Sequence, residues 1–228
     1  MAKYATLEEA AKLIKDDMTV MIGGFMGCGN AHSLLDVISK SGVKNLTVIS
    51  NDASMPNGPD GEDYYGIAKL VHNRQIKKLI VTHVGLNPEV AAQMNEGTLE
   101  VSLVPQGSLA EMVRAGGAGL GGILTPTGLG TMVEESEFAC GRVEIDGKEF
   151  LMMKALKADI AIINGYQIDK AGNVIYKGTT RNFNQVMATA ADLVIAEADN
   201  LVEIGTIEPE NVMTPGILVD YIVERRKA

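Results

Sequence analysis

Short runs rich in β-branched residues alternate with amphipathic stretches over the first two-thirds of the chain. Thr19 to Gly24 (TVMIGG), Asn45 to Ser50 (NLTVIS), Lys78 to His83 (KLIVTH) and Leu99 to Val104 (LEVSLV) are each short and separated by helical patterns. This alternation is the mark of parallel core strands covered by helices. Helix starts are signalled between them. Thr6 with Glu9 and Ser108 with Glu111 have capping-box spacing, and Asn87-Pro88-Glu89 places a cap, a first-turn proline and an acid in succession. The pattern predicts an α/β fold: an open, mainly parallel sheet with helices on both faces, in a single domain over residues 1–228.

The C-terminal third changes style. RVEIDGKEFLMM carries an Asp146-Gly147 turn between alternating strands, a hairpin signal, and a second turn sits at Asp169 to Asn173. Ala158 to Gly165 and Asp192 to Ala198 read as further strands of the sheet, separated by a helix from Asn184 to Ala191. The hydrophobic fraction is 46% with only 4% aromatic residues and no Trp, so the core must come from aliphatic residues and the 12 Met.

A formal charge of −9 argues against nucleic acid as a partner, since no basic stripe offers counterion release. Cys28 and Cys140 show no disulfide framework, so a reducing cytoplasm is expected. The N-terminus lacks the apolar segment of a secretory signal, and no apolar stretch approaches the roughly 18 residues needed to cross a membrane.

The segment IGGFMGCGNAHSLLDVI leaves a buried strand through Gly23, Gly24, Gly27 and Gly29 and enters a helix. Glycines there let backbone N–H groups approach an anion or a developing oxyanion, at the strand end where open α/β folds bind ligands. The competing reading is a tight turn without a ligand. A nucleotide fingerprint, and with it an NAD(P)-binding enzyme, is a further alternative: Gly27 and Gly29 form G-x-G and Asp52 follows the next strand. Against it, His32 stands where the third glycine belongs and Asp52 opens a Pro/Gly loop. That loop, Asn51 to Gly66, is either exposed or covers a site. Seven glycines between Gly116 and Gly130 form either a flap or a close backbone crossing, facing another surface such as a partner subunit.

A nucleophile, base or metal is harder to find. His32, His72 and His83 share no ligand spacing with each other or with a cysteine, so no metal site is expected. Cys28 lies near a helix start that would favour its thiolate, or is simply a small buried residue. Glu134, Glu135 and Glu137 form a solvated run. Asn51 and Gln106 are uncharged polar groups on the same edge as the glycine loop; either each caps a turn, or together with the loop they would make a ring of hydrogen-bond donors without an attacking group.

Val20 to Ala31 (VMIGGFMGCGNA) resembles the GGF-x-x-x-G-x-P signature of the alpha subunits of class I coenzyme A transferases. Further similar stretches follow in order: ISNDA (Ile49 to Ala53), VPQGSLAEMVRAGGAGLGG (Val104 to Gly122), TPTGLGT (Thr125 to Thr131), RNFN (Arg181 to Asn184) and MTPGILVDYIV (Met213 to Val223). Two departures are Ala31 for the signature's proline and Asp17 for the usual glycine. The segment from Gly58 to Tyr65 is longer than the family's pattern leads one to expect.

The resemblance implies transfer of CoA between short-chain acids such as acetate, butyrate or acetoacetate, with coenzyme A as substrate and no permanently bound cofactor. It implies a beta subunit whose S-E-N-G glutamate is the nucleophile, in a hetero-oligomer such as α2β2. Ser136-Glu137-Phe138 lacks the Asn-Gly turn, so Glu137 is not expected to take that role. This chain would contribute the opposite wall: Gly24, Phe25, Met26, Gly27, Cys28, Gly29 and Asn30 toward CoA, with Asn51 and Gln106 in support. A dicarboxylate would need a cation from among Lys69, Arg114 and Arg181. A transferase-like ligand-binding protein without catalysis is the remaining alternative.

Overall fold

The computed structural model describes residues 2–59 and 61–226. The chain begins with β1 (Lys3–Tyr4) and α1 (Leu7–Ala11), followed by β2 (Thr19–Ile22), α2 (His32–Lys40) and β3 (Leu46–Ile49). A two-stranded ribbon, β4 (Met55–Pro56) and β5 (Tyr64–Tyr65), precedes α3 (Ala68–His72), β6 (Ile76–Val81), α4 (Pro88–Asn95), β7 (Glu100–Leu103) and α5 (Gln106–Gly117). Then come β8 (Gly122–Thr125), β9 (Ala139–Ile145), β10 (Lys148–Lys154), β11 (Ala158–Asp169), β12 (Val174–Ile175), α6 (Asn184–Met187), β13 (Ala191–Val202) and β14 (Tyr221–Glu224).

The main sheet runs β1-β14-β13-β11-β2-β3-β6-β7 with every pairing along it parallel, and β12 adds to β11 antiparallel. From β2 the chain builds outward through β3, β6 and β7. It then returns to the other side of β2 to build β11, β13 and β14. The strand order therefore reverses between β2 and β11, and a crevice beyond the carboxyl ends of strands is expected at such a switch point.

Successive strand residues point to opposite faces, which creates two cores. Val20, Ile22, Val48, Leu79 and Val81 meet α1, α2 and α3 through Ala10, Leu34, Leu35 and Leu70. Met21, Ile49 and Ile80 face the other way, onto Leu109 and Met112 of α5 and Met187 of α6. Helices thus cover both faces, as the sequence pattern predicts. Among the described residues no helix is long and apolar enough to cross a membrane.

The Asp146-Gly147 turn has both residues at positive φ, 51° and 73°, the geometry that a two-residue hairpin turn demands. Its strands β9 and β10 join β8 in a separate three-stranded antiparallel sheet, and Leu151 and Met153 seat that sheet on the α5 side of the core. The glycine-rich stretch is a close crossing where it begins, at the last two residues of α5. A Cβ on Gly116 would collide with the carbonyl oxygen of Leu156, and one on Gly117 with the Thr189 side chain.

The Thr6–Glu9 box is formed, with Glu9 N–H donating to Thr6 Oγ1 at 3.1 Å and Thr6 N–H donating to the Glu9 carboxylate at 2.9 Å. Asn87 caps α4 as expected. Two expectations fail. No capping box forms at Ser108, because α5 already starts at Gln106 behind Pro105; the Ser108 hydroxyl is buried without a partner among the described residues, and Glu111 pairs with Arg114. The helix expected from Asn184 to Ala191 stops at Met187, since Ala191 already belongs to β13.

No side chain caps the start of α2 from its own sequence neighbourhood. Glu197 of β13, with no exposed surface, supplies the acceptor: its carboxylate takes the N–H groups of Ser33 at 3.2 Å and Leu34 at 2.7 Å. Burial pushes the Glu197 carboxyl from its ordinary 4.5 up to about 7, against the opposing effect of those two N–H groups. A folded-state pKa above the unfolded value means that the folded chain keeps the proton longer. The resulting loss of stability starts near pH 4.5, grows as pH rises, and is complete above about pH 7. Its ceiling is about 3 kcal/mol. Denaturant midpoints measured at pH 5 and pH 8 should therefore fall further for the native chain than for Glu197→Gln. Equal slopes for the two proteins would count against this account.

Candidate active site

The glycine loop leaves β2 at the switch point and is pinched by a reciprocal pair of hydrogen bonds, Phe25 N–H to Cys28 O at 3.0 Å and Cys28 N–H to Phe25 O at 2.8 Å. Asn30 N–H closes it further onto Gly27 O. Two glycines are required by geometry. Gly24 has φ 126° and its absent Cβ would strike the Asn30 amide; Gly27 has φ 81° and lies under the ring of Tyr65. Asn30, nearly fully buried, donates to Gly23 O at 2.6 Å and accepts from Ser54 Oγ. It holds the loop from inside and does not face solvent.

The Asn51–Gly66 loop covers the glycine loop. Its Tyr65 ring stacks on His32 at 4.4 Å, and His32 Nε2 is 2.9 Å from Gly27 O. Burial holds the His32 pKa below its ordinary value. From the far side the segment before α6 clamps the loop. Asn182 donates to Cys28 O at 3.0 Å, Asn184 donates to Gly29 O at 2.9 Å, and Thr179 meets the Cys28 thiol at 3.4 Å. With Phe25, Met26, Cys28 and Asn30 N–H groups all engaged, those of Gly24, Gly27 and Gly29 remain without hydrogen bonds among the described residues.

Asn51 and Gln106 come together here. Gln106 Nε2 donates to Asn51 Oδ1 at 2.6 Å, and Asn51 Nδ2 donates to Asp52 at 2.9 Å. Asn51 is fully buried with its amide engaged at both ends, so Gln106 is the exposed member and Asn51 holds it in place. Asp52, weighed from sequence only as the acid of a nucleotide fingerprint, has a structural role here that the sequence did not signal. It is 3% exposed, and its two oxygens accept Met26 N–H and Ser54 N–H, each at 2.7 Å. Met26 and Ser54 are non-glycine residues held at φ 52° and 53°. One carboxylate therefore compensates two strained backbone positions and joins the loop after β2 to the loop after β3.

Other candidates lie elsewhere or are engaged. Glu137 is bound to Lys78 at 2.5 Å and Ser102 at 2.6 Å beside β7; burial raises its pKa, but these partners outweigh that and leave it low. Lys69 pairs with Asp36, Arg114 with Glu111, and Arg181 with the Gln185 side chain. Glu197 fills the N-terminus of α2, and Asp52 points into the protein's own backbone, so neither can serve a dinucleotide's pyrophosphate or ribose. His83, weighed from sequence only as a metal ligand, sits with its ring 6.5 Å from that of Phe25.

Replacing Asp52 by Ala leaves two backbone N–H groups without their acceptor, at about 1–3 kcal/mol each when buried. The expected loss is about 2–4 kcal/mol in the denaturant midpoint, with Asp52→Asn intermediate because one acceptor oxygen remains. A loss below about 0.5 kcal/mol for Asp52→Ala would refute the role, being the range of ordinary surface changes.

A family model described as coenzyme A transferase matches residues 4–225. The acetoacetyl-CoA:acetate/butyrate CoA transferase alpha subunit of Clostridium acetobutylicum is 48% identical over 98% of this chain and 98% of its own. The acetate CoA-transferase subunit alpha of Escherichia coli K12 is 43% identical over 97% of this chain and 96% of its own. Among solved structures, the acyl-CoA transferase of E. coli O157:H7 in a thioester complex with CoA superposes with a TM-score of 0.87 at 25% identity. The match covers 98% of this chain but only 50% of that one, so the chain spans half the length of that protein. Glutaconate coenzyme A-transferase from Acidaminococcus fermentans shares the fold, with a TM-score of 0.83 at 18% identity, over 98% of this chain and 75% of that one. The glycine loop at the switch point, the donor pair beside it and the full-length match have one common explanation: this chain belongs to the coenzyme A transferase family, among its alpha subunits.

Proposed function

We propose that this chain, paired with a beta subunit carrying a nucleophilic glutamate, moves CoA between short-chain carboxylic acids of the acetate, butyrate and acetoacetate class. The pair works in the cytoplasm as a hetero-oligomer such as α2β2. The observation that carries the reading is a prepared half-site without an attacking group. The carboxylates at the loop, Asp52 and Glu197, are engaged by backbone N–H groups, while the exposed Gln106 amide and the unengaged loop N–H groups remain as donors.

The chemistry follows from that division. A glutamate oxygen of the beta subunit adds to the thioester carbonyl carbon, and the oxyanion collapses to expel CoA thiolate, leaving an acyl-glutamyl anhydride. The thiolate then adds to the glutamyl carbonyl and releases the first carboxylate. A second carboxylate reverses both steps and leaves with the CoA. The tetrahedral oxyanion on the acyl side is the charge that Gln106 Nε2 and the loop N–H groups stabilise. The names of the Clostridium and E. coli relatives support the substrate class.

Purified with its beta subunit, the chain should transfer CoA from acetyl-CoA to butyrate, and borohydride or mass-spectrometric trapping should find the glutamyl-CoA adduct on the partner. Gln106→Leu should lower kcat on the order of a hundredfold with the complex intact. Robust transfer by this chain alone, or an adduct mapped onto it, overturns the proposal.

A further inference from the structure

Beside the loop lies a cavity of about 400 Å³ bounded by Phe25, Gln106, Gly107, Ala110, Asn182, Phe183 and Val186. Its wall is assembled from three parts of the chain: the tip of the glycine loop, one face of α5, and the segment that enters α6. Gln106 and Phe25 belong both to this cavity and to the candidate site, so the space opens directly off the position assigned to the reacting carbonyl. Beyond these two residues the lining is mainly aliphatic and aromatic.

Among the described residues no charged side chain lines it. Of the three cations considered for a dicarboxylate, Lys69 is paired with Asp36 and Arg114 with Glu111 in a separate cavity, while Arg181, hydrogen-bonded to the neutral Gln185 side chain, does not line this space. A second carboxylate carried into this space would meet no cation in the lining that this chain supplies, and an unpaired charge in an apolar site costs far more than a methylene gains. A hydrocarbon tail meets no such penalty.

We infer that this cavity holds the hydrocarbon tail of the acyl group, and that Ala110 on α5 and Val186 on α6 set how long that tail can be. The inference rests on the transferase reading above and deepens it. Apart from Gly107, Ala110 has the smallest side chain in the lining, so enlarging it shortens the space; Val186 lines the same space from α6, so trimming it lengthens the space. Each methylene that finds apolar cover gains about fourfold in kcat/KM, from about 0.8 kcal/mol per buried CH2, so the two methylenes separating butyrate from acetate are worth about 15-fold.

The test uses the complete complex with its beta subunit and the straight-chain acids acetate, butyrate and hexanoate as CoA acceptors. Ala110→Leu should lower kcat/KM for butyrate at least tenfold relative to acetate, with acetate within about threefold of the native value. Val186→Ala should move the series the other way, raising hexanoate relative to butyrate about fourfold or more. The second variant only removes atoms, so it keeps the test decisive if the first fails to assemble. Parallel changes for all acids, or none, overturn the cavity's role while leaving the transferase reading intact. A native complex that transfers CoA to none of the acids overturns both.

Discussion

A buried carboxylate at the head of α2 is the constraint around which the site is organised. A helix start presents unpaired N–H groups and a partial positive charge, and in open α/β folds that end is commonly left for a ligand's phosphate. Here Glu197 reaches from β13, two strands away from β2, and closes it from within. The two halves of the sheet, built before and after the switch point, are thereby joined through one side chain. That helix end is closed, and the exposed groups beside it are at the front of the loop, Phe25 and Gln106.

The second carboxylate, Asp52, acts on the loop from the other side. Met26 and Ser54 would each resist their left-handed backbone without it, and Asn51 passes its hold on to Gln106. Asn182 and Asn184 complete the frame on the α6 side. Buried polar networks of this kind are costly when incomplete and rigid when satisfied. A rigid wall suits electrostatic stabilisation, since donors already in place need not reorganise as charge develops.

What was legible in the sequence was local. The strands, the Thr6–Glu9 box, the Asn87 cap and the Asp146-Gly147 turn each depend on residues within a few positions of one another. Ser108 and Glu111 had capping spacing too, but Pro105 had already started the helix, and spacing alone does not carry that information. The structural roles of Glu197 and Asp52 were hidden because their partners are far away in sequence or are backbone groups without a residue-specific signature. Glu197 lies 163 positions from Leu34, and Asp52 serves Met26 across 26. The glycine loop itself is legible, but its glycines fit either an approach to a ligand or a tight turn, and only the structure shows that Gly24 and Gly27 are closed against Asn30 and Tyr65.

That closure changes how natural variation around the loop should be interpreted. A glycine pressed against the Tyr65 ring or the Asn30 amide will be retained by selection on folding whether or not chemistry takes place nearby. Its persistence across relatives would be silent about catalysis. On the inference drawn above, the informative positions are Phe25 at the loop's tip and Ala110 and Val186 on the cavity wall, only partly buried against the core, where drift in side-chain volume would record a change of acyl group.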